Sequence, residues 1–167
     1  MRRTLRFLQG GECQYVRMRS HNGFVLFQNN ADYAQFMKVL KKFKEMFDAH
    51  LYSFCLLPRS VHLIVHHTHN SHLTALLQEI QQAYAFYYRE RYSHEGLVWT
   101  IRRQHTVLPD DRDLIDCIKA IEFLPIEEHL ADSPIQYPWS SCSFRILGSK
   151  SVIDFQPIKR AMSLSSA

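Results

Sequence analysis

The chain has 167 residues, 46% hydrophobic and 13% aromatic, with a formal net charge of +4 and a sequence pI near 8.9. That is enough for one domain with a full core and too little to expect two. No apolar run approaches membrane-spanning length, and the basic start Met1-Arg2-Arg3-Thr4-Leu5-Arg6-Phe7-Leu8 lacks the apolar core of a signal peptide, so no membrane partner is expected. Cys13, Cys55, Cys117 and Cys142 lie far apart inside apolar runs, which reads as reduced core thiols in a cytosolic protein rather than a zinc site or a disulfide framework. The mild basic charge is compatible with nucleic acid without requiring it. The expected location is the bacterial cytoplasm, at the nucleoid.

In chain order, residues 1–11 form a basic lead-in carrying Arg2, Arg3 and Arg6. Residues 12–20 alternate as a first strand, with Cys13, Tyr15, Val16 and Met18 set against Gln14, Arg17 and Arg19. His21-Asn22-Gly23 signals a turn before the short apolar run 24–27. Asn30-Ala31-Asp32 starts a helix over 31–48, in which Tyr33, Phe36, Met37, Leu40, Phe43, Met46 and Phe47 recur at three- and four-residue spacing. Its other face holds Lys38, Lys41, Lys42 and Lys44. These could form a DNA patch, but a solvated helix face is the more ordinary use of lysine.

Two apolar runs, 50–57 and 61–67, are separated by Pro58-Arg59-Ser60 and read as adjacent strands with a tight connection. The second carries His62 among aliphatic residues. With His66, His67, His69 and His72 it makes five histidines in eleven residues, a composition that can bind metal or can simply form a polar loop leaving the strand. A second long helix spans 72–92 on the stripe Leu73, Leu76, Leu77, Ile80, Tyr84, Tyr87 and Tyr88. Its tyrosines read chiefly as core and rim packing with the hydroxyls at the wet end. A strand over 100–108 and a helix over 111–124 follow. The serine-rich stretch 148–167, with Lys150, Lys159 and Arg160, reads as a loosely docked tail behind a domain of residues 1–147. Periodicity alone gives mixed α and β in one domain.

Several segments together resemble the REP-associated tyrosine transposases and, more broadly, the single-tyrosine HUH transposases of IS200-like insertion sequences. Leu57-Pro58-Arg59-Ser60-Val61-His62-Leu63-Ile64 resembles the family's Met-Pro-Asn-His-Val-His-Leu-Leu. Tyr84 to Tyr92 resembles the helix ending Tyr-x-x-Tyr/Phe-Asn-Arg-Arg-Tyr. Gly96-Leu97-Val98-Trp99, Arg102, Asp110-Asp111 and the run Cys117 to Pro125 fall on Gly-x-Leu-Trp-x-x-Arg, Asp-Asp and Tyr-Ile-Glu-Leu-Asn-Pro. Tyr137-Pro138-Trp139-Ser140-Ser141 matches the closing Tyr-Pro-Trp-Ser-Ser. The resemblance covers roughly residues 13–147. It implies an α+β, ferredoxin-like fold: an antiparallel sheet with helices packed mainly on one face.

In that family a tyrosine attacks a phosphodiester of single-stranded DNA, while a metal held by two histidines and an amide side chain polarises the phosphate. Here the first histidine falls on Ser60, the tyrosine on Ala120 and the amide on Leu124; of the metal positions only His62 keeps its histidine. The family's His-x-x-x-Arg strand places its histidine on Tyr15 and its arginine on Arg19. The resemblance therefore implies a mobile-element protein that kept the fold and lost the reaction, needs no cofactor, and binds single-stranded or hairpin DNA through Arg19, Arg59, Arg102, Arg103 and Lys119, with Trp99 as core or as a stacking surface. Arg59, beside the lost histidine, could take over part of the phosphate site.

Two alternatives stay open. One is an active Mg- or Mn-dependent endonuclease or transposase whose nucleophile has moved to Tyr84, Tyr87 or Tyr88, with the metal on His62 and His66. Those histidines lie about 13 Å apart along a continuous strand, too far for one small ion. The other is a protein-interaction module that docks a protein partner in the old DNA cleft.

Overall fold

The computed structural model describes residues 11–147 together with Ile153 and Asp154. The basic lead-in before Gly11 and most of the expected tail lie outside the described residues. Four strands, β1 (Glu12–Arg19), β2 (His50–Leu57), β3 (Ser60–His67) and β4 (Gln104–Val107), form one antiparallel sheet in the order β2-β3-β1-β4. With α1 (Asn30–Met46) after β1 and α2 (Asn70–Tyr92) after β3, this is the βαββαβ succession of a ferredoxin-like sheet. α3 (Asp111–Glu127) and α4 (Ser141–Leu147) follow.

β3 is buried along its whole length, as a central strand covered on both faces must be. Cross-strand partners project to the same side of a sheet. The pairs Tyr15↔Ile64, Arg17↔His62, Arg19↔Ser60, Cys55↔His62 and Leu57↔Ser60 therefore define one face, and Val16↔Leu63, Met18↔Val61 and Phe54↔Leu63 the other. α1 and α2 pack together through Phe36 against Tyr84. α3 lies over β2 on the Tyr15 face, with Cys117 beside Tyr15 and Glu122 close to Cys55.

The expected elements appear near the expected places, with two differences of extent. β4 begins at Gln104 rather than 100. Ser20 and Trp99 make one isolated bridge and Thr100 N–H donates to the Arg19 carbonyl (2.9 Å), but the chain then leaves the ladder, with Ile101 largely exposed. α3 runs three residues past 124, through Pro125. The proline removes one N–H, yet Glu128 N–H still donates to the Leu124 carbonyl at 2.9 Å, and the buried Pro125 ring packs inward. Of the expected tail, Ile153 is buried and Asp154 is bonded to the start of β2: its N–H donates to the Leu51 carbonyl (2.9 Å), and its carboxylate accepts from Leu51 N–H (2.8 Å) and pairs with Lys44 (2.9 Å). Lys44 thus leaves the lysine set of α1, while Lys38, Lys41 and Lys42 stay exposed.

The tyrosines of α2 have structural partners. Asp32, fully buried in the first turn of α1, accepts from Gln28 N–H (2.8 Å), Tyr87 Oη (2.7 Å) and Tyr92 Oη (2.6 Å). Tyr84 Oη donates to the Leu26 carbonyl (2.6 Å) and Tyr88 Oη to that of Val25 (3.0 Å). Together they fasten α2 to the segment 25–32 that leads into α1. Removing the acceptor strands several donors at once. Asp32→Ala is therefore expected to lower unfolding free energy by about 3 kcal/mol, against about 1 kcal/mol for Tyr92→Phe, both read by urea denaturation.

Candidate nucleic-acid interface

Register brings the family's strand positions together. Ser60 and His62 stand on the same face of β3, and Tyr15 reaches across from β1. His62 is 4% exposed, and both ring nitrogens are bonded: Nδ1 to Tyr15 Oη at 2.7 Å, Nε2 to Ser60 Oγ at 3.0 Å. In the neutral ring, the form that burial favours, one nitrogen donates and the other accepts. Burial, seconded by the neighbouring Arg17, pushes the His62 pKa down to about 3. Burial likewise raises that of Tyr15.

This donor set does not fit a divalent metal. Ser60 offers a neutral hydroxyl, Leu124 offers nothing, and neither nitrogen of His62 is free to turn to an ion. His62 and His66 stand on an unbroken strand, which keeps them apart, and among the described residues no three His, Cys, Asp or Glu side chains converge. Serine, histidine and tyrosine in line have the outline of a nucleophile, a base and an orienting group. An imidazole that holds a proton only near pH 3 is a feeble base at neutral pH, so the array is suited to filling the site rather than activating Ser60.

On α3, Ala120 is exposed and Leu124 half-buried, on the same stripe as Cys117, which borders Tyr15. The position that the resemblance matches to the nucleophile is thus open to solvent and carries a methyl group. The tyrosines considered as substitutes are committed elsewhere, to Asp32 and to the carbonyls of Val25 and Leu26.

Beside this filled site lies a cleft of about 390 Å³, walled by Arg17 and Arg19 of β1, Ser20, the Pro58-Arg59 turn, Ser60 and Thr100, with Glu128 at its edge. The left-handed backbone of Asn22 (φ 52°) and Gly23 (φ 68°) makes the tight turn whose Gly23 carbonyl accepts from Arg59 Nε at 2.8 Å, fixing that guanidinium. Arg19 and Arg59 are exposed and Arg17 is half-buried. Among the described residues none of the three forms an ion pair.

Of the five predicted DNA contacts, the structure therefore joins Arg19 and Arg59. Arg102 and Lys119 are exposed on the loop before β4 and on α3. Arg103 is turned toward α2, where Nη1 donates to Gln81 Oε1 at 2.6 Å. Trp99 is 8% exposed, with its indole N–H on the Gln81 carbonyl (2.9 Å), which makes it core rather than a stacking surface. Sequence reasoning missed Arg17 as a site residue and Tyr15 as the partner of His62. The register puts Tyr15 on the same face as Arg17 and Arg19, whereas the sequence pattern sets it against them.

The architecture defines a class: a ferredoxin-like sheet of transposase type. Compared with solved structures, the chain has the fold of a REP-associated tyrosine transposase bound to a REP hairpin, at a TM-score of 0.70 and 14% identity over 94% of this chain and 96% of that one. A candidate transposase from Deinococcus radiodurans R1 aligns at a TM-score of 0.47 and 14% identity, covering 64% of this chain and 85% of that one. No protein-family model and no curated protein matches the sequence.

The neutral His62 gives stability a definite pH dependence. The unfolded ring takes up a proton below its usual value of 6.5 and the folded ring only near 3, so its contribution is complete above pH 6.5 and is lost as pH falls through that window, at about 1.4 kcal/mol per pH unit. His67 and His105 are shifted the same way by burial and add to the slope. Chemical denaturation between pH 4 and 7 is expected to show a shallower slope, by about one proton, in His62→Gln than in the parent.

Proposed function

We propose that the chain is a transposase-derived protein that binds single-stranded or hairpin DNA and does not break it. One observation carries the reading: a cleft with three arginines stands beside a metal position that Tyr15, His62 and Ser60 have closed by hydrogen bonds. Binding and cutting draw on different groups. Recognition of a folded strand uses cations on phosphates and polar or aromatic surfaces on bases, and needs neither a metal nor a nucleophile. Cleavage needs both, and Ala120 and Leu124 offer neither. The likeness of fold to a transposase bound to a REP hairpin supports the same choice of partner. Association with the nucleoid follows from this reading.

The exposed cations Arg19, Arg59, Arg102 and Lys119 are the proposed phosphate contacts, with Arg103 in a supporting role on α2. If four phosphates are neutralised, the logarithm of the affinity should fall with the logarithm of salt at a slope of about −3 for single strands. Labelled single-stranded and hairpin DNAs, assayed together for gel shift and for cleavage with Mg²⁺, with Mn²⁺ and with chelator, should show binding that survives the chelator and no covalent adduct. A metal-dependent adduct would overturn the reading and direct attention to Tyr15, the tyrosine bonded to His62. Neither binding nor cleavage would favour a protein-docking module.

A further inference from the structure

We infer that the cleft between β1 and the β2–β3 turn is a metal-independent phosphate site, holding one phosphate group of a DNA strand between Arg17, Arg19 and Arg59. The inference rests on the DNA-binding reading and deepens it by naming the group recognised and the residues that take it.

Three observations lead there. The first is charge: three guanidinium groups border the cleft against the single carboxylate of Glu128, and among the described residues none of the three is ion-paired. Like charges gathered around one space repel each other until an anion enters it. The second is unmet hydrogen bonding. Arg17 Nε and Ser20 Oγ are buried without a hydrogen-bond partner, Ser20 being only 3% exposed, and both residues line the cleft. A buried donor left unpaired is costly, and where two residues carrying such groups line a cleft with cationic groups, an oxygen-rich anion is the ligand that answers both kinds of demand. The third is rigidity. Arg59 is held by Gly23, Ser20 N–H donates to the Arg59 carbonyl (3.0 Å), and Thr100 N–H donates to the Arg19 carbonyl (2.9 Å), so the walls are fixed before any ligand arrives.

Other ligands fit less well. A divalent cation would enter among arginines and find a hydroxyl and an imidazole already bonded to each other. A carboxylate would suit the charge, but two oxygens match three guanidiniums and a hydroxyl less fully than the oxygens of a phosphate. The cleft's volume of about 390 Å³ admits the phosphate with part of its sugar.

The test reads the arginine side chains directly. With ¹⁵N labelling, inorganic phosphate titrated at constant ionic strength should shift the Arg17 Nε–Hε resonance in the parent and leave it unmoved in Arg59→Gln. Fluorescence anisotropy with short oligothymidylates should then show Arg17→Gln and Arg59→Gln each binding about tenfold more weakly, with the salt slope reduced by about 0.7 and no response to chelator. Lys41→Gln on α1 should change nothing. A 5′-phosphorylated strand that binds better than its 5′-hydroxyl counterpart would identify a terminal phosphate as the ligand, and equal binding a backbone diester. Arg17 adjoins His62, so its variant is checked by thermal unfolding; the exposed Arg59 supplies the second, independent variant. If the parent binds DNA while both variants keep its affinity and slope, the site proposal fails and the DNA-binding reading stands. A phosphate-dependent Arg17 shift without any DNA binding would keep the anion site and overturn the DNA-binding reading, and a resonance unmoved by phosphate overturns the site outright.

Discussion

A histidine in a strand covered on both faces costs least when its ring is neutral and its nitrogens are bonded. β3 is such a strand, and both ring nitrogens of its His62 are bonded. Tyr15, diagonally placed on the neighbouring strand, and Ser60, two residues back, bond the two nitrogens from the same face of the sheet. Once they do, the imidazole is no longer available as a ligand, and its low proton affinity follows from the same burial. The position that the resemblance matches to a metal ligand is therefore also part of the core, and its hydrogen bonds make the ring part of the packing.

Asp32 plays the corresponding part on the other side of the molecule. A fully buried carboxylate is tolerated because hydroxyls of Tyr87 and Tyr92 and a backbone N–H point at it from the end of α2 and the start of α1. Tyrosines that look abundant enough to contain a nucleophile are thereby spent on joining the helices. Their aromatic bodies continue the job: Tyr84 lies against Phe27, Phe36 and Trp99, and Tyr33 stacks on Trp139 at 4.9 Å, which ties the Tyr-Pro-Trp-Ser-Ser segment to α1. Beyond it, Ser141 bonds Ser53 and Glu122, and Arg145 pairs with Glu122, so that α4, α3 and β2 share one buried polar knot.

Much of this was legible in the residues. The helices follow their apolar stripes, and the paired strands on either side of Pro58-Arg59 follow from β-branched runs broken by a turn. What could not be read was how side chains of different strands would meet. The Tyr15–His62 bond joins residues 47 apart, and nothing in local pattern announces it. Arg17 was hidden for the same reason: in a strand read alone it is the polar half of an alternation, and only the register opposite His62 makes it a wall of the cleft. Arg103 and Trp99 went the other way, into contacts with Gln81, because the chain between Thr100 and Gln104 leaves the ladder and turns toward α2. α4 escaped notice because seven residues are too few for a periodic signal.

The separation between fold and chemistry explains how both conditions can hold in one chain. The two positions that the resemblance matches to the nucleophile and the amide are compatible with the core as they stand: Ala120 is exposed, and Leu124 packs against the core. Alanine at the first and leucine at the second carry no polar side-chain group to satisfy, so neither residue opposes folding. Position 60 is different, since it lies inside the sheet, and there a polar residue is needed: Ser60 is 7% exposed and bonds the Nε2 of His62. An aliphatic residue at 60 would have left Nε2 buried and unpaired. Serine at that position therefore lets His62 remain a sound part of the core, and it leaves the arginines beyond it without an ion-pair partner among the described residues and bordering the cleft.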